Sequence, residues 1–276
     1  MIARAHAKIN LTLEVFPVRD DGYHALRSVV MPVSLCDTLE IAPAEGLSCD
    51  TGYADDLCMK AARQLRDESG TSLGASIHVS KRIPAGGGLG GGSADAAATL
   101  VALNDVWGLG LSRTELAVIG ARVGSDVPSL VVGGAVLMEG RGEVVSSVPG
   151  APFSPIHLVL AAPREPSSTA RVYAECVPRV GSSPSASDRM SEALRSGDMG
   201  AVASALSNDL REPAVRLCPG IAAAEEALLA SGALAASMSG SGSTVFGLVE
   251  SEERGREIAA KVSSCGFWAV CAHTIG

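Results

Sequence analysis

Residues 84–97 read Pro-Ala-Gly-Gly-Gly-Leu-Gly-Gly-Gly-Ser-Ala-Asp-Ala-Ala. Six glycines in seven residues bring no side chains to a core and weaken any regular element they interrupt. They do offer backbone that can wrap closely around a ligand and aim N–H groups at it. Residues 94–103, which follow at once, are strong helix formers, and Ser93 stands where an N-cap hydroxyl belongs. A glycine loop opening a helix presents unpaired N–H groups and the positive dipole end together, which is an anion site. The stretch therefore reads as a phosphate cradle built from Pro84, Ala85, Gly86, Gly87, Gly88, Leu89, Gly90, Gly91, Gly92, Ser93 and Ala94. A dinucleotide-binding turn is a second reading, since Gly86, Gly88 and Gly91 satisfy GxGxxG, but no acidic residue follows about 20 positions on to hold a ribose. No Lys-Ser/Thr closes the run as a P-loop requires. A flexible linker is the bland reading, opposed by the helix directly behind the glycines.

Other residues have chemistry open to them. Lys8 and Asn10 lie on the polar side of an alternating segment, with Ile9, Leu11, Leu13 and Val15 on one face and Lys8, Asn10, Thr12 and Glu14 on the other. That period is a half-buried strand. Its polar face has two open readings: solvated, as in most such strands, or turned toward an oxygen-rich ligand that its Lys and Asn can bind. Asp126, in Gly124-Ser125-Asp126-Val127-Pro128, reads equally as a helix cap or as an acid–base group. Tyr23 and His24 follow the turn Arg19–Gly22 and, taken singly, read as a core ring and a turn histidine. Ser239-Gly240-Ser241-Gly242-Ser243 is a second small-residue loop.

The elements that must position these groups follow from pattern and breakers. Residues 26–41 are strand-like, with interruptions expected at Pro32 and Asp37. Helices are expected over 57–66, from the glycine loop to Trp107, over 113–123 behind Ser112 as N-cap, and over 169–176. Residues 131–138 read as strand with a bend at Gly133-Gly134. The Pro149-Gly150-Ala151-Pro152 break marks a domain boundary, giving 1–150 and 151–276. Beyond it come a strand at 157–161, a flexible stretch at 181–185, helices at 188–196, 198–207, 219–231 and 252–264, and strands at 244–249 and 268–273. Strands and helices mix without βαβ regularity, so the class is α+β.

Composition narrows the partners. With 276 residues, 47% hydrophobic and 19% charged, the chain is long and apolar enough for a sizeable core. A net charge of −8 and a pI near 5.2 argue against nucleic acid and against an anionic membrane surface. An acidic protein that handles phosphates must concentrate positive charge locally. Seven cysteines without a CxxC pair fit reduced thiols in a cytoplasmic protein better than zinc or disulfides. No signal peptide is expected. The uncharged run 228–249 is broken by nine Gly and Ser residues and reads as helix, loop and strand.

Taken in order, these segments resemble the GHMP small-molecule kinases. The glycine run 84–97 is similar to the family's central signature. Ala7-Lys8-Ile9-Asn10-Leu11, Asp20-Asp21-Gly22-Tyr23-His24, Gly124–Pro128, Gly140-Arg141-Gly142-Glu143, Ser168-Thr169 with Val172-Tyr173, Asn208-Asp209-Leu210 and Ser239–Ser243 narrow the resemblance to one branch. The resemblance implies a ribosomal-protein-S5-like N-terminal domain that binds ATP and a ferredoxin-like C-terminal domain. The implied activity is transfer of the ATP γ-phosphoryl to the 2-hydroxyl of a cytidine diphosphate-linked methylerythritol, in non-mevalonate isoprenoid synthesis. It also implies Mg²⁺, a monomer or homodimer, and no nucleic-acid or membrane partner. By the same resemblance Asp126 and Lys8 are catalytic: an Asp can accept the acceptor's proton, and the Lys orients it and stabilises charge on the attacking oxygen and the γ-phosphate. Lys81 and residues 84–94 are expected to bind ATP. Asn10, Tyr23, His24, Thr169, Tyr173, Gly240, Ser241 and Gly242 are expected to bind the acceptor, the tyrosines enclosing cytosine. Metal ligands are not legible beyond Ser93, whose hydroxyl ends the cradle. The family commonly has Asn-Leu where this chain has Asp56-Leu57; an ionised Asp toward adenine only accepts. Ser129 replaces a usual aromatic. A kinase of homoserine or mevalonate type, a non-catalytic nucleotide-binding regulator, and a dinucleotide oxidoreductase are the alternatives.

Overall fold

The computed structural model describes residues 1–51, 56–150, 155–165, 167–179 and 185–276. Residues 151–152 of the expected boundary and 181–184 of the expected flexible stretch lie outside them. In the first half the elements are β1 (Ile2–Asn10), β2 (Thr12–Val18), β3 (His24–Ala44), β4 (Leu47–Cys49), α1 (Leu57–Ser69), β5 (Gly74–Ser80), α2 (Gly91–Val106), α3 (Arg113–Gly120), α4 (Val127–Val132), β6 (Val136–Glu139) and β7 (Val144–Ser147). The second half adds β8 (His157–Ala162), α5 (Thr169–Ala174), α6 (Ala186–Ser196), α7 (Met199–Ala205), β9 (Ser207–Asn208), α8 (Arg211–Leu217), α9 (Gly220–Ser231), β10 (Ala235–Met238), β11 (Val245–Leu248), α10 (Glu252–Ser264) and β12 (Trp268–His273).

Two sheets organise the chain, and the class is α+β. The larger runs β4-β5-β3-β2-β9, with β1 and β6 also paired to β3 and β7 to β6. The smaller runs β10-β11-β8-β12, antiparallel throughout, with α9 and α10 packed on it. Strand, helix, two strands, helix, strand in that order is the ferredoxin-like arrangement. The two halves share one core, in which Leu100 of α2 lies in the same cluster as Leu158, Leu194 and Phe246. The second half also inserts β9 beside β2 in parallel, Thr12 opposite Ser207.

Three expectations are corrected. The alternating segment is two strands broken at Leu11, and its polar face is not solvated: Lys8, Asn10, Thr12 and Glu14 are at most 4% exposed. The chain's own second half covers part of it, since the Glu14 carboxylate accepts the N–H groups of Ala186 and Ser187 at 3.1 and 3.0 Å, filling the N-terminus of α6. Strand β3 runs unbroken through Pro32 and Asp37. Pro32 pairs with Lys8 beside a register shift, where a missing N–H is tolerated. Finally, residues 127–132 are helical; Pro128 suits a first helical turn and outweighs the β preference of the valines around it. Helix α8 was not foreseen, because Pro213 reads as a breaker although it sits within the first turn, where proline is allowed.

Candidate active site

The longest buried helix positions the site. Helix α2 is buried on nearly all sides through Ala94, Asp95, Ala97, Leu100 and Leu103, so it serves as a fixed post at the centre of the first half. Its N-cap is Gly90 in the left-handed conformation, φ 69°, and no side chain caps its first turn. Ser93, expected as the cap, lies instead one turn inside, and its hydroxyl faces Gly124. The first-turn N–H groups are thus left to whatever enters the space in front of them.

That space is a cavity of ≈ 1240 Å³. Lys8, Asn10, Tyr23, His24, Lys81, all of residues 84–93, Asp126, Thr169, Tyr173, Gly240 and Ser241 line it. Two expected residues do not: Ala94 is packed into α2, and Gly242 stands behind the wall, against Met238 and Ile221.

The glycine loop is docked on both halves of the chain. Leu89 O accepts the Lys8 N–H at 3.0 Å and Gly87 O accepts the Thr244 N–H at 3.1 Å. The Ser239 hydroxyl donates to Gly88 O at 3.0 Å. The approach leaves no room for side chains, since a Cβ on Gly88 would lie 2.2 Å from Ser239 O and one on Gly90 would lie 3.1 Å from Lys8 Cγ. Asn208, whose amide donates to Met238 O and Gly240 O at 2.8 Å each, braces the second loop. Thr169 Oγ1 and Ser241 Oγ share a 2.8 Å hydrogen bond.

Lys8 and Asp126 meet at the junction. Lys8 Nζ donates to Asn10 Oδ1 at 2.6 Å and stands 3.8 Å from Asp126 Oδ2. Asn10 is held in turn by Ser28 Oγ at 2.8 Å. The lysine is therefore oriented by the amide, and its separation from the carboxylate exceeds a hydrogen bond. Asp126 occupies the N-cap position of α4, yet its side chain makes no capping bond. Its carboxylate, 35% exposed, projects into the cavity. Of its two readings from sequence, the geometry leaves the carboxylate free for chemistry.

Elsewhere on the cavity wall, the His24 and Tyr173 rings lie 5.8 Å apart at 33°, and His24 Nδ1 is 2.8 Å from Phe16 O. The Arg141 guanidinium sits 5.3 Å from the Tyr23 ring centroid. Burial, with Asp126 nearby, pushes the Tyr173 phenol above its ordinary range.

Two carboxylates were missed. Lys81 Nζ lies 2.5 Å from Asp37 Oδ2 and 2.6 Å from Asp95 Oδ2. Asp37 also accepts the Arg82 and Ile83 N–H groups, so it ties the start of the glycine loop to β3. Burial works against the Lys81 charge, but the two carboxylates outweigh it and raise the lysine's pKa. Burial likewise pushes Asp95 up, to about 7, against the pull of Lys81. A signal existed: each is a lone acid in an otherwise uncharged stretch of strand or helix. Asp37 was read as a strand break instead. Asp37→Ala is expected to cost about 3–5 kcal/mol, because it strips one member from a buried ion pair, and a urea unfolding midpoint checks it. The Asp95 contribution depends on pH. With a native pKa raised above the unfolded value of 3.8, it is fully present below pH 3.8 and is lost as pH rises through about 7. The stability difference between wild type and Asp95→Asn should therefore shift against wild type between pH 4 and 7, as thermal midpoints across that range would record.

A glycine cradle at an uncapped helix, with a lysine and a free aspartate facing it, matches the GHMP kinases in sequence as well: the model of the GHMP kinases N terminal domain matches residues 56–134 and that of the GHMP kinases C terminal matches 190–266. The chain belongs to the GHMP kinase family. Within it, the chain is 42% identical over 267 residues to a protein of Pelotomaculum thermopropionicum named 4-diphosphocytidyl-2-C-methyl-D-erythritol kinase, covering 94% of this chain and 92% of that one. A crystal structure of 4-(cytidine 5'-diphospho)-2C-methyl-D-erythritol kinase superposes with a TM-score of 0.85 at 32% identity, covering 100% of both chains. The homoserine kinase from Cytophaga hutchinsonii shares the fold, with a TM-score of 0.77 at 17% identity over 99% of this chain and 93% of that one. Among the described residues no helix is long and apolar enough to cross a membrane.

Proposed function

We propose that the protein transfers the γ-phosphoryl group of ATP to the 2-hydroxyl of 4-diphosphocytidyl-2-C-methyl-D-erythritol. The observation that carries this reading is the junction itself: Lys8 Nζ 3.8 Å from Asp126 Oδ2, in the wall of the cavity that residues 84–93 also line. Uncapped N–H groups of α2 and the glycine loop receive the phosphates. Asp126 accepts the acceptor hydroxyl's proton as its oxygen attacks phosphorus. Lys8, fixed by Asn10, supplies positive charge to the attacking oxygen and the γ-phosphate. Little covalent chemistry is asked of the protein, so positioning and charge do most of the catalysis. Tyr23, His24 and Tyr173 are assigned to the cytosine, and Thr169, Gly240 and Ser241 to the acceptor's linking phosphates and alcohol.

Mg²⁺ fits the oxygen-bearing cavity wall, where the Ser93 hydroxyl at the end of the cradle is the candidate holder. Bound there it would neutralise phosphate charge, as it does in kinases generally. We divide the chain at 150 into an ATP-binding half, 1–150, and an acceptor-side half, 151–276, because the cradle belongs to the first and Thr169, Tyr173 and the 239–243 loop to the second. A cytoplasmic location belongs to the same reading, supported by seven free thiols.

A coupled ADP-release assay offering the cytidylated alcohol, homoserine and mevalonate in parallel tests the proposal. Turnover confined to the cytidylated alcohol is expected. Preferential turnover of either other alcohol, or none of any, would overturn it.

A further inference from the structure

A second group of side chains lies at the edge of the cleft and has no part in the chemistry above. Cys49, at the end of β4, and Asp56 and Cys58, at the start of α1, bring two sulfurs and a carboxylate oxygen within 4.8 Å of one another. Asp56 is the N-cap of α1: its Oδ1 accepts the Cys58 N–H at 2.7 Å, and its Oδ2 accepts the Thr51 hydroxyl at 2.5 Å. The carboxylate is thus already oriented by neighbours, as metal-ligating carboxylates generally are.

We propose that Cys49, Asp56 and Cys58 form a binding site for a thiophilic divalent cation of the Zn²⁺ class, with one coordination position left open. Thiolate and carboxylate donors suit Zn²⁺, whose tetrahedral shell at about 2.3 Å to sulfur sets ligand atoms roughly 3.7 Å apart. The trio therefore needs to contract by at most about 1 Å to close on the ion. Asp56 and Cys58 reach the wall of the large cavity, and Cys49 reaches a smaller one of ≈ 500 Å³. An ion can therefore enter, and a water or ligand atom can complete its shell. Binding releases both thiol protons to solvent while the carboxylate enters ionised, so affinity rises with pH. The composition argues against zinc because no CxxC pair exists; here the pair comes from the end of β4 and the start of α1, nine positions apart in sequence. The site does not depend on the kinase assignment.

The test uses the full-length reduced protein under anaerobic conditions, titrated with Zn²⁺ against a chromophoric chelator and separately with Co²⁺. One equivalent should bind with a thiolate-to-cobalt charge-transfer band. Cys49→Ser, at a half-buried position that should tolerate it, and Cys58→Ser should each weaken binding by about 100-fold or more, beyond the cost of losing an outer-shell partner. Thr51→Val, which leaves all three ligands, should weaken it roughly 10-fold. Equal affinity in wild type and Cys49→Ser, or a cobalt spectrum without thiolate character, would each overturn the proposal.

Discussion

Asp126→Asn should lower kcat by about 10² to 10⁴, the usual worth of a positioned proton acceptor, while ATP and acceptor KM change little. The substitution is nearly isosteric, and the Asp126 side chain makes no helix-capping bond, so the fold should survive and unfolding midpoints should match wild type. Lys8→Met should cost about 10² to 10³ in kcat, the scale of one lost transition-state donor. Because the two groups act on the same transferring phosphoryl, their effects should not add. The double variant is expected to be little worse than the more damaged single one. A kcat loss under about 10-fold for Asp126→Asn would remove the base assignment. Strict additivity would separate the two roles.

Gly88→Ala should be nearly as damaging, for a steric reason. A Cβ there would stand 2.2 Å from the Ser239 carbonyl oxygen, and the φ of 75° already disfavours any L side chain. The carbonyl is backbone, so the glycine loop must lift away from the 239–243 loop. A displacement of about 1 Å at a phosphate-positioning element can cost roughly 100-fold in rate. The loss should appear in kcat together with a raised ATP KM. Gly86→Ala supplies the contrast. Its φ of 69° carries a similar backbone cost of about 1–2 kcal/mol, but a Cβ there meets nothing within 4 Å. It should lose some stability and little turnover. If the two variants behave alike, close approach is not what those glycines serve.

Much of this site was legible because its residue types are improbable for any other purpose. Six glycines ahead of an alanine-rich helix leave few readings, and the resemblance then supplied Lys8, Asp126 and the aromatics. What resisted was whatever depends on which surface a residue turns out to face. The polar side of residues 8–15 stayed open between solvent and a ligand because nothing local announces that α6 and the glycine loop will cover it. Asp37 looked like a break in a strand because its partners, Lys81 and the Arg82 and Ile83 N–H groups, are more than 40 residues away. Ser93 looked like a cap because serine usually is one; Gly90 took that place by adopting a conformation that leaves the helix end bare. Val131 and Val132, read as the start of a strand over 131–138, close a helix that Pro128 opens. Asp56, considered for adenine, caps α1 and also lines the cavity.

The docking of the glycine loop also sets a schedule on the ribosome. Gly87 and Gly88 are made early, but Thr244 and Ser239, which hold them, are made more than 150 residues later. A nascent chain released of its first half alone would carry the phosphate grip in name, as a loose tether beside an uncapped helix. Competence to bind nucleotide should therefore arrive late and abruptly, when the final sheet emerges and clamps the loop from above.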